Sequence, residues 1–576
     1  LGVERVGRHD NFFDLGGHSL LIVSMVERLR QQGLQTSIRQ VFEAQSLMEL
    51  AAALTQQERI VWQAPENRIP DGCKRITPDM LPLVALKQEE IDAIADRVQG
   101  GMENIQDIYP LAPLQEGILF HHRLNSAHDA YIMPVILRFD TRVRFDAFVQ
   151  ALNRVVQRHD VLRTAVMWED LSQAVQVVNR RADIPVSTFG QGRYETAQEA
   201  LDALQASLSA GRFVMDLHRA PLVHVQLAES EDDNVCHAML LSHHLNMDHV
   251  SQEVLIEEVA QLLSGQDEAL VEPVQYRDFV AHSLTRNDLQ AAQAYFREQL
   301  GDVTEPTAPF GLLDVHGDGQ GMEEVTMPLM QALSCGIREQ AQRLNVSPAV
   351  LFHVAYGLLV AKTSGRDDVV FGSVFSGRMG TVAGGDRMLG MFINTLPVRL
   401  KLSKLSVEEA IRSTQQTLVS LLAHEQTPLA LAQHCSGISG NVPLFSAMLN
   451  YRHSAEGAEE EVLDRAGLTL MEAQEWTNYP FDVSVDDLGE GFELTAQTQA
   501  DKVEPQRVLA YMQRAVEQVV QALEEAPQTE LLRLLILPEA ERAQVLDSFN
   551  DTRTDYPREA LIHELFEQQV QKTPEA

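Results

Sequence analysis

Between residues 104 and 540, short apolar runs rich in β-branched residues alternate with longer amphipathic stretches. The apolar runs lie at 132–139, 222–227, 237–242, 369–374 and 396–400, and helical stretches lie at 145–158, 250–263 and 349–363. Strands that alternate with helices along a chain predict an α/β architecture. Because the stretch is long, we expect it to form two lobes of similar size.

The composition argues against several classes of function. The chain has 576 residues with 46 Lys and Arg against 82 Asp and Glu, so its formal net charge is −36. A surface this acidic repels a phosphate backbone, which argues against nucleic acid as a partner. No apolar run approaches the roughly 18 to 20 residues that a membrane span needs. The four cysteines form no CxxC pair, so we expect no zinc site, no disulfide framework and a reducing, cytoplasmic location.

Residues 1–57 carry the pattern of a small helical domain. Apolar residues recur at helical spacing between residues 20 and 29, and Ser46 with Glu49 forms a capping box that opens a further helix. The segment DNFFDLGGHSL at residues 10–20 places two glycines shortly before Ser19, where a helix starts. On the residues alone, Ser19 is either a helix N-cap or a functional hydroxyl.

Residues 58–103 change character and suggest a tether. Prolines punctuate a polar stretch, and a helical pattern over residues 86–98 then ends at Gly100 and Gly101. We expect a flexible connection followed by a short helix, which suits a small domain that moves between partners.

A histidine-rich segment follows the apolar run at 237–242. Adjacent residues on a strand point to opposite sides, so only one of His243 and His244 can face a given cleft. An imidazole titrates near neutrality and can remove a proton from an amine or an acidified carbon. Asp248 can orient a ring or pair with a buried arginine. These residues and His249 are also metal-ligand types, but their spacing matches no zinc pattern, and purely structural histidines are the remaining alternative.

The segment at residues 10–20 resembles the core motif of the peptidyl carrier proteins of nonribosomal peptide synthetases. The serine of that motif carries a phosphopantetheine arm, and the matching position here is Ser19. The resemblance implies a four-helix, all-α carrier domain and 4′-phosphopantetheine as a covalent cofactor, attached by a phosphopantetheinyl transferase. It also implies that the arm holds an aminoacyl or peptidyl group as a thioester.

The segment HHLNMDH at residues 243–249 resembles the HHxxxDG motif of condensation domains, which are related to chloramphenicol acetyltransferase-like enzymes. The resemblance implies a two-lobed, V-shaped α/β fold in which His244, the second histidine, is catalytic, His243 precedes it and Asp248 is mainly structural. His249 stands where the family has glycine. Weaker family motifs follow in the expected order at 158–164, 276–279, 390–395 and 424–428.

Residues 107–122 resemble the opening of dual condensation/epimerization domains. Those domains carry a further motif, HHIxxxxGD or HHLxxxxGD, which begins here with His121 and His122. Arg123 replaces the aliphatic residue of that motif, and His128 replaces its glycine. The resemblance implies that His121 and His122 contribute to epimerization of the α-carbon.

The C-terminal segment at 561–576 resembles the opening of an adenylation domain, and the chain starts at Leu1 with no signal-peptide pattern. We therefore expect a monomeric piece of a longer assembly line, with an adenylation domain upstream and adenylation and carrier domains downstream. The predicted divisions are a carrier domain at 1–57, a linker at 58–103, an N-lobe at 104–275, a C-lobe at 276–540, and a linker with the start of an adenylation domain at 541–576.

The resemblance implies that the large domain converts the donor residue from L to D. It then joins that residue to the amine of a downstream aminoacyl carrier. Three alternatives stay open: condensation without epimerization, epimerization alone, and a catalytically inactive docking module.

Overall fold

The computed structural model describes residues 5–575 apart from a set of segments. The residues outside the description are 1–4, 13–14, 16–21, 23–24, 27, 30–31, 33, 37–39, 42–43, 45, 57–62, 125–128, 211–212, 232–233, 287, 316–320, 379–383, 386, 440–441, 454–466, 556–557 and 576. Ser19 and His128, two positions singled out in the sequence, lie outside the described residues.

Helices and strands alternate over most of the chain. The strands are β1 Leu34–Gln35, β2 Thr55–Gln56, β3 Ile105–Pro110, β4 Ile132–Phe139, β5 Thr164–Met167, β6 Val175–Asn179, β7 Val186–Tyr194, β8 Val223–Ser230, β9 Cys236–His243, β10 Met322–Pro328, β11 Asp368–Phe375, β12 Asn394–Lys401, β13 Ala447–His453, β14 Leu468–Ala473, β15 Phe481–Asp487 and β16 Phe492–Gln499. The helices are α1 Leu47–Ala53, α2 Gln88–Arg97, α3 Pro113–Leu124, α4 Arg142–Arg158, α5 Ala197–Ala210, α6 His249–Leu263, α7 Tyr276–Arg286, α8 Leu289–Leu300, α9 Gln331–Leu344, α10 Pro348–Ser364, α11 Val407–Leu422, α12 Leu429–His434, α13 Pro505–Glu525, α14 Glu539–Ala543 and α15 Ile562–Lys572. All five strands and three helices predicted by periodicity are confirmed.

The N-terminal domain is described in part. Its core holds Phe12, Ile22, Val41 and Leu50, and the Ser46 side chain accepts a hydrogen bond from the Glu49 N–H at the start of α1, as the capping box predicts. Beside this helix, β1 and β2 form a short antiparallel pair of two residues each, which the all-α expectation did not include. Much of the predicted four-helix arrangement lies outside the described residues.

Of the predictions for residues 58–103, the short helix is confirmed as α2, whereas the flexible tether before it is wrong from Pro65 onward. From Ile69 to Val98 the buried apolar residues of this segment form a cluster with β3 and β6. Arg277 of α7 anchors the start of the segment, donating to the Pro65 carbonyl at 2.6 Å and to Asp107 of β3 at 2.6 Å. The prolines and polar residues of this segment correctly indicate irregular backbone. Irregular backbone is nevertheless held in place when its apolar side chains are buried, as they are here.

The N-lobe is built on a five-stranded sheet in the order β14-β4-β9-β8-β7, called here the N-lobe sheet. Helices α4 and α6 contribute buried residues to the core that this sheet shares. Strand β14 comes from the predicted C-lobe range 276–540, yet it pairs antiparallel with β4. The predicted boundary at residue 275 therefore needs a correction, because an edge strand is free to take a partner from a distant part of the chain.

The C-lobe is built on a six-stranded sheet in the order β10-β16-β15-β13-β11-β12, called here the C-lobe sheet. Strand β13 runs parallel to both β11 and β15, and the other neighbouring pairs are antiparallel. Helix α10 is apolar on all sides and lies within the core, whereas the amphipathic α13 covers it with one face.

In the described part of the chain, no single helix has both the length and the apolar composition to cross a membrane. One bent pair, α9 with α10, meets that test jointly, and α10 is a buried core helix.

Candidate active site

Two cavities meet at His244. The larger has a volume of about 740 Å³ and reaches α3, β4 and the C-lobe sheet; the smaller, of about 200 Å³, reaches α10 and α11. His244, Glu475 and Arg452 line both cavities. His249, at the start of α6, also lines both cavities. The His244 imidazole faces space on two sides, an arrangement that suits a reaction between two substrates.

The two histidines at the end of β9 have different environments. His243 is fully buried, and its Nδ1 accepts a hydrogen bond from the Leu245 N–H at 3.0 Å. Its Nε2 therefore carries the proton and donates to Asp129 at 3.0 Å. Burial lowers the pKa of His243 against the opposing pull of Asp129. The sequence prediction that only one of the pair can face a cleft is confirmed.

Asp129 is the centre of a buried network. One carboxylate oxygen accepts from His122 at 2.5 Å and from His243 at 3.0 Å, while the other accepts from the Tyr131 N–H at 3.0 Å. Burial raises the pKa of this carboxyl, but the hydrogen bonds from the two rings outweigh burial and hold the pKa below its usual range. The His122 and His243 rings both point at one oxygen of Asp129, so this network fixes the orientation of the β9 end.

His244 makes one hydrogen bond on each ring nitrogen. Its Nδ1 donates to the Met247 carbonyl at 3.2 Å, and its Nε2 lies 3.1 Å from a carboxylate oxygen of Glu475. A carboxylate and a carbonyl only accept, so the ring carries both protons while Glu475 is ionised. Burial disfavours the charged ring, but the hydrogen bond and charge of Glu475 outweigh burial, and the pKa of His244 is raised.

Glu475 was not found by sequence reasoning. It lies in the connection between β14 and β15, and its second oxygen pairs with Arg452 at 3.2 Å. Arg452 in turn holds Asp486 through two hydrogen bonds of 2.9 Å. Burial raises the pKa of Glu475, but His244 and Arg452 outweigh burial and lower it. No local sequence pattern marks Glu475 as a site residue, because its partner Arg452 lies on β13 of the C-lobe sheet.

Asp248 is a structural residue of the loop. Its side chain caps α6 by accepting from the Ser251 N–H at 2.9 Å, and it pairs with Arg378 at 2.7 Å. Arg378 is 1% exposed and also donates to the carbonyls of Gly385 and Met388. Of the two roles considered for Asp248, pairing with a buried arginine is confirmed.

The first histidine pair is divided between two roles. His122 belongs to the Asp129 network, whereas His121 lines the larger cavity on α3. The Tyr131 ring stands between His121 and His244, with centroid distances of 6.0 Å and 6.4 Å. Two imidazoles therefore line the same cavity on either side of one tyrosine.

The weaker family motifs at 158–164, 276–279 and 390–395 make contacts that stabilise the fold around the site. His159 contacts Glu258 at 2.9 Å, and Asp160 accepts from the Tyr276 N–H at 3.0 Å. The Tyr276 hydroxyl donates to the Met391 carbonyl at 2.5 Å. These contacts join distant segments beneath the site.

Family models match two parts of the chain. The model described as "Condensation domain" matches residues 105–546, and the model described as "Phosphopantetheine attachment site" matches residues 1–54.

Curated relatives match over most of the chain. Malpibaldin synthetase of Mortierella alpina is 42% identical over 586 residues, covering 100% of this chain and 10% of the relative. Bacitracin synthase 3 of Bacillus licheniformis is 30% identical over 521 residues, covering 88% of this chain and 8% of the relative. The chain thus spans a tenth or less of the length of these relatives.

Solved structures share the fold. A four-domain nonribosomal peptide synthetase bound to AMP and glycine has a TM-score of 0.67 at 16% identity, over 81% of this chain and 37% of that one. The first condensation domain of the calcium-dependent antibiotic synthetase, in complex with a substrate analogue, has a TM-score of 0.58 at 15% identity, over 75% of this chain and 99% of that one. At these identities the likeness shows the two-lobed fold.

Proposed function

This chain belongs to the condensation-domain family and begins with a phosphopantetheine carrier domain, and from that membership we propose its function. We propose that it epimerizes the donor residue and then forms an amide bond in nonribosomal peptide synthesis. The carrier holds 4′-phosphopantetheine covalently. We propose Ser19 as the attachment point. When bound, the arm supplies a thiol that holds the donor residue as a thioester. A thioester has a more acidic α-carbon than an amide and is activated towards amines.

The position of His244 at the junction of the two cavities is the observation that carries this proposal. One cavity can admit the donor and the other the acceptor, so that both approach the same imidazole. The Nε2 of His244 lies 3.1 Å from a carboxylate oxygen of Glu475, so a proton can be shared between the two side chains. The pair can therefore take up a proton and pass it on without rearranging the backbone.

In amide formation, the acceptor amine attacks the donor carbonyl carbon. The carbon–nitrogen bond forms, the carbon–sulfur bond breaks, and the departing thiolate is protonated. The His244 imidazolium must first release its Nε2 proton. The neutral ring then orients the amine and receives its surplus proton, and Glu475 balances the charge of the imidazolium that forms again. Holding the two substrates in line contributes beside this proton transfer.

In epimerization, one group removes the α-proton and a proton returns from the opposite face. His244 is our candidate for the first group, and His121 is our candidate for the second, because both line the larger cavity. His122 supports the site indirectly, since it holds Asp129 and through it His243.

The test uses the full chain with its arm loaded with an L-aminoacyl group in deuterated water, with and without a downstream aminoacyl carrier. We expect a dipeptide whose donor residue is D-configured and carries α-deuterium after hydrolysis. The Ser19→Ala variant is the control, because it should remain folded yet hold no donor. An unlabelled L,L-dipeptide would leave condensation and remove epimerization.

Condensation without epimerization is the second candidate, and one observation favours it. Both departures from the first histidine motif, Arg123 and His128, fall where that motif should define the epimerizing site. Exchange without any dipeptide would instead assign epimerization alone. Neither exchange nor dipeptide would support an inactive docking module.

The Glu475→Gln variant should move the acid limb of the pH–rate profile of peptide formation. Glu475 raises the pKa of His244, so a step that needs neutral His244 slows as the pH falls through that raised pKa. Removing the carboxylate lowers the pKa of His244, and the midpoint should move to lower pH by about one pH unit or more. Glu472→Gln is the matched control, because Glu472 contacts Gln205 on the N-lobe side. An unchanged midpoint in Glu475→Gln would contradict the role assigned to the pair.

The proposed function requires the partners that were expected from the sequence. We propose a phosphopantetheinyl transferase, an upstream adenylation domain, and downstream adenylation and carrier domains as partners of a cytoplasmic protein.

A further inference from the structure

One face of the C-lobe sheet is polar; it is buried on β15 and β16 and becomes exposed at the edge strand β10. Asp482 of β15 stands directly opposite Gln497 of β16, which stands opposite Glu324 of β10. In the next row, Ser484 stands opposite Thr495. All five residues line the larger cavity. The alternate residues of β15, Phe481, Val483 and Val485, face the apolar core on the other side of the sheet. The polar row therefore forms a wall of the cavity.

Asp482 is the charged residue on this wall that lacks a partner. It is 5% exposed, and its Oδ1 has no hydrogen-bond partner in the described structure. A buried carboxylate without a partner is costly, so such a group calls for an explanation. Burial, with the nearby carboxylates of Glu475 and Glu324 acting against Arg452, raises the pKa of Asp482 to about 7.

The two cations assigned to this cavity, Arg452 and the His244 imidazolium, are both already paired with carboxylates. Arg452 donates to Asp486 through two hydrogen bonds and pairs with Glu475 at 3.2 Å. Glu475 also pairs with His244, while Glu324 accepts from the Gln497 amide. No lysine is among the described residues that line this cavity. The wall thus carries more negative charge than the protein itself neutralises.

We propose that Asp482 binds a primary ammonium group of the carrier-bound substrate, an inference that rests on the proposed function of the cavity. A primary ammonium has three donors and a full charge, and it would provide the partner that Oδ1 lacks. Glu324 extends the negative wall toward the sheet edge. The ammonium has two chemical sources, the free α-amine of an aminoacyl donor, which is not the attacking amine, and the side chain of a basic residue. Both present the same group, and the test separates them.

The experiment measures the binding of pantetheine amides, in which an amide replaces the thioester, by titration calorimetry on the full chain at about pH 8. One pair of probes compares alanyl with N-acetylalanyl, and the other compares N-acetyl-lysyl with N-acetyl-norleucyl. The wild type should bind the cationic member of at least one pair about tenfold more tightly. The pair that shows the preference identifies the source of the ammonium.

The Asp482→Asn variant should lose that preference and keep its affinity for the neutral probes. The matched control is Glu323→Gln, which removes one charge next to Glu324 on the opposite face of β10 and should keep the preference. If the asparagine variant does not fold, Asp482→Ser removes the same charge with a smaller side chain.

Two results would overturn the inference: equal binding of both members in both pairs by the wild type, or a preference that survives in the uncharged Asp482 variant. In either case binding of the neutral probes leaves the proposed function standing. If the wild type binds none of the probes, the assignment of this cavity to a carrier-bound substrate fails, and the ammonium site fails with it.

Discussion

Peptide formation by the His244→Ala variant should fall by about two to four orders of magnitude, the range that a positioned acid–base group contributes. The reason is the location of the ring: it faces both cavities and is the imidazole paired with Glu475. The measurement is the rate of dipeptide release from a loaded carrier and a downstream aminoacyl carrier. The variant should remain folded, because Glu475 keeps its pair with Arg452.

The matched control for that variant is His434→Ala. His434 is exposed on α12, and its ring donates to the Ala430 carbonyl of the same helix at 3.0 Å. Its replacement should leave the rate unchanged. Robust turnover by His244→Ala would remove the imidazole from the mechanism and leave positioning as the source of catalysis.

The Arg378→Ala variant should lose about 3 to 5 kcal/mol of unfolding free energy, because it leaves the carboxylate of Asp248 buried without its cation. Arg378 and Asp248 are each 1% exposed and lie 2.7 Å apart. Arg378 also donates to Ser251 at 2.9 Å and to two backbone carbonyls. The pair joins the segment after β11 to the start of α6, so its loss should also misplace the His244 loop. Urea unfolding followed by circular dichroism measures the change.

An arginine in a surface ion pair supplies the comparison. Arg366 pairs with Glu305, which is 70% exposed, and Arg366→Ala should cost less than about 1 kcal/mol. The double variant Asp248→Ala with Arg378→Ala should lose less than the sum of the two single variants, because no buried charge is left over. Additive losses would show that the pair is not the interaction that stabilises this loop.

Several parts of the structure could be predicted because they depend on neighbouring residues. The strand β4 and the helix α6 follow from local periodicity. Strand β4 is buried at nearly every residue, and α6 is buried at residues with helical spacing. The placing of His243 in the buried network and of His244 at the cavities agrees with the alternation expected of a strand, although β9 itself ends at His243. The pairing of Asp248 with an arginine was one of two roles open to a carboxylate in that position.

Other parts depend on pairings between distant segments. The cluster that packs residues 69–98 against β3 and β6 could not be found from periodicity, because its apolar residues are spaced irregularly. Strand β14 could not be assigned to the N-lobe sheet, because an edge strand carries no sequence signal for its partner. These two errors explain why the predicted linker and lobe boundary need correction.

The sequence by itself determined the α/β alternation, the histidine loop at the end of β9 and the carrier motif around Ser19, because each is a run of adjacent residues whose chemistry or spacing is local. Only the tertiary structure decided which groups surround His244. Glu475 reaches it from the connection after β14, and Asp482, Gln497 and Glu324 form one row only because β15, β16 and β10 are neighbours. Sheet order and register are set by burial of the whole domain, so no single stretch of the chain encodes them.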